Sequence, residues 1–197
     1  MAIATLPRAA TPRSDNRLPQ ILDAAARLFS EKGYGYTSMR DIAAIAGMLP
    51  GSLYYHFASK EALLVAVYAE GVRRIKDAVK AVIAADTDPW VQLENVCAAH
   101  LEALLEDSDY GQVVIRVRPD DAPEAATRLI ALRDEYEETF AQAIRALPLP
   151  PRTDRRVLKL MLLGALNWSQ TWYRPGRESP QLLARRFVGL LKDPLEK

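Results

Sequence analysis

The 197-residue chain has a single cysteine, Cys97, so no disulfide can close within it. Histidine is almost as scarce, with only His56 and His100. No glycine-rich phosphate loop and no nucleophile elbow is present. An enzyme is therefore not expected, and no cofactor is implied. No run approaches 18 apolar residues without a charged or strongly polar break, so no membrane span is expected. The opening stretch "MAIATLPRAATPRSDNR" lacks the apolar centre of a secretion signal, which makes the cytoplasm the expected location. An excess of one charge is missing too: 26 basic residues face 25 acidic ones. Residues 1–65 are mildly basic, with Arg8, Arg13, Arg17, Arg27, Lys32, Arg40 and Lys60 against Asp15, Asp23, Glu31, Asp41 and Glu61. That balance permits a small nucleic-acid-binding module without arguing for one.

What is present is helical. Hydrophobic residues make up 49% of the chain, enough for one or two compact domains with a substantial core. Period-two alternation is nearly absent, whereas spacing near 3.6 recurs, predicting an all-α fold of about nine helices. Residues 1–16, with Pro7, Pro12 and small side chains, read as a flexible arm. The first helix is predicted over residues 17–32, with Leu18, Ile21, Leu22, Ala25, Leu28 and Phe29 on its apolar stripe and Gly33 to end it. Ser38 then caps a short second helix, with Asp41 three residues later, and Gly47 stops it. Pro50 opens a third helix at the position proline favours. Two short helices joined by a tight turn containing glycine make a helix-turn-helix outline.

A longer fourth helix follows Ser59 and runs to about Ala85, long enough to leave one domain and enter another. "DTDPW" restarts the chain with Asp88 as cap, and "RPDDAP" and "PLPPR" mark later breaks. Residues 154–173 are apolar on most faces, and a helix of that kind must be surrounded by protein. Composition does not say whether the covering protein is the same chain or another. The last helix opens at Ser179-Pro180, with Leu182, Leu183, Arg186, Phe187, Leu190 and Leu191 on its stripe.

Inside the third helix, "LPGSLYYHF" sets four ring side chains in a row, Tyr54 to Phe57. Neighbours on a helix point about 100° apart, so the rings cannot all be buried in one stripe. Leu53 and Phe57, at i and i+4, are expected to pack on Ile42 and Ala46. Tyr54 reads as an amphipathic surface tyrosine. Tyr55 keeps two readings, packing against the first or fourth helix or contact with an outside partner.

The stretch "LDAAARLFSEKGYGYTSMRDIAAIAGMLPGSLYYHFASKEALL" resembles the tetracycline-repressor (TetR) family of bacterial transcription regulators. Ala24-Ala25, Leu28-Phe29, Gly33-Tyr34, "TSMRDIA" with "IAG", "GSLYYHF" and "SKEALL" match in order over about a quarter of the chain. The resemblance implies a helix-turn-helix DNA-binding domain at 17–62 and a linking helix over about 60–85. It further implies a ligand-binding and dimerisation bundle at 63–197, and a two-fold homodimer on a palindromic double-stranded operator. It implies contacts to DNA from Arg40, Tyr54, His56 and Lys60, with Tyr55 undecided. Thr37 and Ser38 are candidate phosphate donors, although Ser38 is also the helix cap. Leu49, Pro50, Gly51 and Ser52 stand where family members read sequence. They carry few polar groups, so readout would lean on apolar contact with thymine methyls and on DNA shape. The final two helices would form a four-helix dimer interface. Repression, relieved by a small effector, is the family's usual mode.

The tail "GALNWSQTWYRPGRESPQLLARRF" is similar over about twenty residues to family members that sense acyl-CoA thioesters or related fatty and aromatic acids. Asn167, Trp168 and Trp172 carry that similarity, and Arg133 and Tyr136 face inward from a neighbouring helix, so these five are the candidate effector pocket. Asn167 needs a hydrogen-bond partner, from the protein or from a ligand. Trp168 and Trp172, four apart, read as core or interface ahead of pocket wall. Arg116 and Arg118 read as a solvated face. Glu94, Cys97 and His100 lie three apart on one helical face. An inert core cysteine and a surface histidine are expected there, and no metal site. The competing class is a helical ligand-binding or adaptor protein of the same fold that does not act on DNA.

Overall fold

The computed structural model describes residues 17–82, 88–105 and 108–195. The expected arm at 1–16 lies outside them. The described residues form nine α-helices, two short 3-10 turns and no strand. They are α1 (Leu18–Lys32), α2 (Met39–Ile45), α3 (Pro50–His56), α4 (Lys60–Val82), α5 (Pro89–Leu105), α6 (Asp109–Arg116), α7 (Ala126–Ala146), α8 (Arg155–Trp172) and α9 (Pro180–Leu195). The 3-10 turns, at Pro119–Asp121 and Pro123–Ala125, fall at and just after the expected "RPDDAP" break. Among the described residues, no helix is long and apolar enough to cross a membrane.

The local signals act as their chemistry requires. Ser38 accepts from the Asp41 amide at 3.2 Å, and the Asp41 carboxylate accepts from the Ser38 amide at 3.0 Å, closing a capping box on α2. Gly47 takes φ +64°, a left-handed turn that lets the chain leave α2 and start α3 within four residues. Ser59 caps α4 through the Ala62 amide, and Asp88 caps α5 through the Trp90 amide at 2.8 Å.

The core is continuous from end to end. Ile21, Leu28, Ile42 and Leu53 are fully buried where α1, α2 and α3 meet, and Leu63, Leu64 and Val67 bring α4 onto them. Further along, α4 packs on α5, α6 and α7, and α9 lies along α5. One helix departs from expectation in its reach. The short α6 packs on α1 as well as on α4, so α4 is not the sole connection between the two ends. Tyr110 of α6 donates its hydroxyl to Asp23 of α1 at 2.7 Å, and the Arg74 guanidinium lies 3.9 Å from the centre of the Tyr110 ring. Two buried glycines let α6 sit close to its other neighbours: Gly71 of α4 lies against Tyr110 and Val114, and Gly111 of α6 against the Ala103 carbonyl of α5.

The last two helices divide their apolar residues between two directions. In α8, Leu158, Leu162, Leu163 and Leu166 are buried, and in α9, Leu183, Ala184 and Val188. Val157, Leu160, Met161 and Trp168 of α8 and Leu182 and Leu190 of α9 are exposed, Trp168 by 68% and Leu190 by 73%. Arg186, expected on the α9 stripe, instead points to solvent and pairs with Glu178. Among the described residues, these side chains stay uncovered.

Candidate nucleic-acid interface

The helix-turn-helix end shows which expected contacts are free to meet DNA. Thr37 is buried, and its hydroxyl donates to the carbonyls of Gly33 at 2.9 Å and Leu28 at 3.2 Å. It is therefore a strut between the end of α1 and the start of α2, not the phosphate donor expected of it. The Ser38 hydroxyl is spent within its cap, donating to Asp41 at 2.6 Å while accepting from the Asp41 amide. The Ser38 hydroxyl and amide, both donating to the Asp41 carboxylate, hold that carboxyl below its ordinary range. Lys60 also turns inward. Its ammonium donates to the carbonyls of Tyr34 and Thr37, each at 3.0 Å, and sits 4.2 Å from the centre of the Tyr34 ring. Tyr34 in turn donates to Glu61 at 2.6 Å. Lys60 thus locks the α1–α2 turn to the start of α4, and two of its three donors are committed there.

What faces outward is a compact set. Leu53 is fully buried and Phe57 is packed against the core, as their spacing predicts. Tyr55 is 87% exposed, which excludes packing on α1 or α4, and its ring meets His56 edge-on. Tyr54 is 52% exposed. Leu49, Gly51, Ser52 and Arg40 are exposed, and Pro50 is half-buried. Leu49 is the α3 cap and makes no side-chain hydrogen bond to its helix; its carbonyl accepts from the Ser52 amide at 2.9 Å, and Pro50 has no N–H to satisfy.

A cavity of about 260 Å³ lies between α4, α5, α6, α7 and α8. Three of the five residues expected to form a pocket line it: Arg133, Tyr136 and Asn167. The other two do not. Trp168 projects to the exposed face of α8, and Trp172 stacks edge-on with Phe187 above a separate surface recess. Their apolar spacing placed them on the uncovered side of a helix whose other side is core. Arg118, expected to be merely solvated, stands at the mouth of the cavity.

The main correction is His100. It is 2% exposed, where a surface histidine was expected, and it lines the cavity. The Tyr136 hydroxyl is bonded to its Nδ1, and the Phe140 ring meets it edge-on. Glu94, the other end of the face, lies 3.8 Å from Arg185. Cys97 is fully buried, and burial pushes its thiol up.

Two family models match. "Bacterial regulatory proteins, tetR family" covers residues 21–67, and "Tetracyclin repressor-like, C-terminal domain" covers 86–195. The HTH-type transcriptional repressor KstR2 of Rhodococcus jostii is 31% identical over 193 residues, spanning 94% of each chain. The chain belongs to the TetR family. Among solved structures, AibR in complex with isovaleryl coenzyme A and operator DNA aligns with a TM-score of 0.75 and 26% identity, over 89% of this chain and 97% of that one. TetR regulators are DNA-binding transcription factors, and both the helix-turn-helix end and the all-helical bundle of this chain conform to that fold.

In a TetR frame, the buried His100 gives the bundle a measurable signature. Desolvation lowers its pKa to about 4, against an opposing pull from the Asn167 amide. The unfolded chain takes up this proton near pH 6.5, the folded one only near 4. Stability from the neutral ring is thus present above pH 6.5 and lost as pH falls toward 4. Between pH 7 and 5 the chain should lose about 2 kcal/mol through this group. In urea titrations, His100→Phe should shrink the pH 7-to-5 difference by about that much, whatever its own stability. An unchanged difference would contradict the assignment.

Proposed function

We propose that the chain is an effector-released transcriptional repressor that grips a palindromic operator as a two-fold homodimer. The observation that carries this reading is the exposure of Leu49, Ser52, Tyr54 and Tyr55 on a short α3 whose remaining side, Leu53 and Phe57, is anchored in the core. Such a helix presents its N-terminal turns to base edges in the major groove, while flanking side chains hold phosphates. We assign Leu49, Pro50, Gly51 and Ser52 to sequence readout, and Arg40, Tyr54, Tyr55 and His56 to backbone or base contact. Ser38, Thr37 and Lys60 serve by holding the frame. Domain division falls at about residue 62, with α4 as the link. The exposed apolar face of α8 and α9 supplies the dimer contact. The protein acts in the cytoplasm, and the reading gives it no reaction to catalyse.

Tyr54→Ala should weaken binding to every duplex by a similar factor, about fivefold to tenfold, whereas Ser52→Ala or Leu49→Ala should alter preference among operators. Titration against matched and mismatched operators separates the two. Equal losses on operator and random DNA for all three variants would sink the division.

The effector is an acyl-CoA-type molecule whose acyl part enters the cavity between α4 and α8. AibR was solved with isovaleryl coenzyme A, and the cavity here joins apolar walls from Val114, Ile115, Leu129 and Leu163 to Arg118 and Arg133 at its mouth. A ligand can release DNA only if it binds the non-binding conformation more tightly. The α6 helix both walls the cavity and grips α1 through Tyr110 and Asp23, which gives such a difference a route. A mobility-shift titration on the DNA upstream of the chain's own gene tests the reading, with short acyl-CoA esters added to the complex. Retarded DNA that is freed by an ester supports it; no retardation at low salt defeats it.

A further inference from the structure

Most of the polar side chains that line the cavity answer one another. The Tyr136 hydroxyl bonds to His100 Nδ1, and Asn167 bonds to the same histidine. The Glu137 carboxylate accepts from Lys159 at 2.7 Å. Tyr68 of α4 is different. It is 3% exposed and lines the same space, yet among the described residues its hydroxyl has no hydrogen-bond partner. The oxygen is not one of the unpartnered atoms sealed from solvent, so it keeps accessible surface. The rest of Tyr68 is enclosed by the core, so that surface opens into the cavity. Buried polar groups are nearly always paired, and this one has only the cavity to draw a partner from.

The surroundings decide what the partner is. Burial pushes the Tyr68 phenol up to about 12, so at neutral pH it carries its proton and can donate. Arg133 also lines the cavity, close enough for its charge to act on the phenol. Its Nε stands 3.8 Å from Glu137, beyond hydrogen-bond range. Two donors, one neutral and one charged, therefore border one space, and an acceptor oxygen answers both. On one side of that space the walls are apolar, with Leu129 and Leu163; on the other, Arg118 stands at the mouth. The oxygen thus sits where an apolar chain gives way to a polar, anionic one. In an acyl-CoA ester, the oxygen at that junction is the thioester carbonyl.

Resting on the reading that the effector is an acyl-CoA ester, we infer that the Tyr68 hydroxyl donates to its thioester carbonyl oxygen, with the Arg133 guanidinium as second donor. Tyr68 then selects thioesters over ligands of the same length that lack the carbonyl. Sites built to hydrogen-bond a ligand group discriminate against analogues without it, because their own polar atoms are left unpaired.

The test is calorimetric titration of the full chain with butanoyl-, hexanoyl- and octanoyl-CoA and with the S-butyl, S-hexyl and S-octyl thioethers of coenzyme A, in which a methylene replaces the carbonyl. At the chain length that binds best, the ester should bind about tenfold more tightly than the thioether. Tyr68→Phe should weaken the ester about tenfold and leave the thioether within about threefold. The free variant should melt no lower than the parent, because its lost hydroxyl had no protein partner; a Tm lowered by more than about 2 °C would reveal such a partner and overturn the inference. Equal affinities of ester and thioether for the parent chain would overturn it, and so would an equal loss of both in Tyr68→Phe. Hexanoate that binds as tightly as its ester, and loses that affinity in Tyr68→Phe, would overturn it by making a carboxylate the group that is read. Failure of every ester and thioether to bind would remove the acyl-CoA reading itself, and the inference with it.

Discussion

A chain carrying Met161→Glu together with Trp168→Glu is expected to sediment as a monomer and to lose operator affinity by at least a hundredfold. Both side chains stand on the exposed side of α8 with Val157 and Leu160, and Leu182 and Leu190 of α9 are exposed as well. Large contiguous apolar patches are rare on free surfaces and mark contacts. A two-fold contact doubles the effect of each change, because the same patch serves both partners. Burying four unpaired carboxylates across such an interface costs more than the contact returns. Neither residue lies in the core or lines the His100 cavity, so the fold should survive. Operator binding should not, since one recognition helix then holds one half-site with half the phosphate contacts. Sedimentation velocity and a mobility-shift titration measure the two effects. A variant that remains dimeric would place the dimer contact elsewhere.

Gly111→Ala should be the most damaging single methyl in the bundle. A Cβ at that position would stand 2.4 Å from the Ala103 carbonyl oxygen, a backbone atom of α5 that cannot rotate away. Overpacking of this kind costs about 3 kcal/mol, which for a chain of this size lowers Tm by roughly 6–12 °C. Gly71→Ala meets mainly the Val114 side chain, at 2.7 Å, and a side chain can give way. Its loss should be about 1–2 kcal/mol, recovered in part by adding Val114→Ala. If α6 must move off α5 to admit the methyl, the Tyr110–Asp23 bond to α1 and the cavity wall at Val114 move with it. Release by effector should therefore change in Gly111→Ala along with stability. A Tm within about 2 °C of the parent would show that α6 is not held so closely.

Local chemistry made most of the fold legible. Ser38 with Asp41, Gly47, Pro50, Ser59 and Asp88 are signals read within one turn of where they act, and the helices begin and end at them. The buried Leu53 and the exposed Tyr54 follow from helical phase alone. The framing bonds of Thr37 and Lys60 were not legible because their partners are 4 to 26 residues away, and only a formed turn shows which donors are already committed. Trp168 and Trp172 misled for a different reason. A helix apolar on two sides has one side for its own chain and another for a second chain, and hydropathy does not label them. His100 was missed because its burial depends on α4, α6, α7 and α8 closing over α5, a property of no single helix. The bridge from α6 to α1 is likewise invisible in sequence, since Tyr110 and Asp23 are 87 residues apart.

The central claim is that exposed residues of α3 and Arg40 read a specific duplex sequence, and that they do so in pairs. Selection from a random double-stranded library with the full chain tests it most directly. The account predicts enrichment of one inverted repeat whose half-sites are about one helical turn apart, or a multiple of it. Ser52→Ala or Leu49→Ala should change the bases within each half-site and leave the spacing intact. A bound pool at low salt that carries no common sequence, or a single unrepeated half-site, would contradict it.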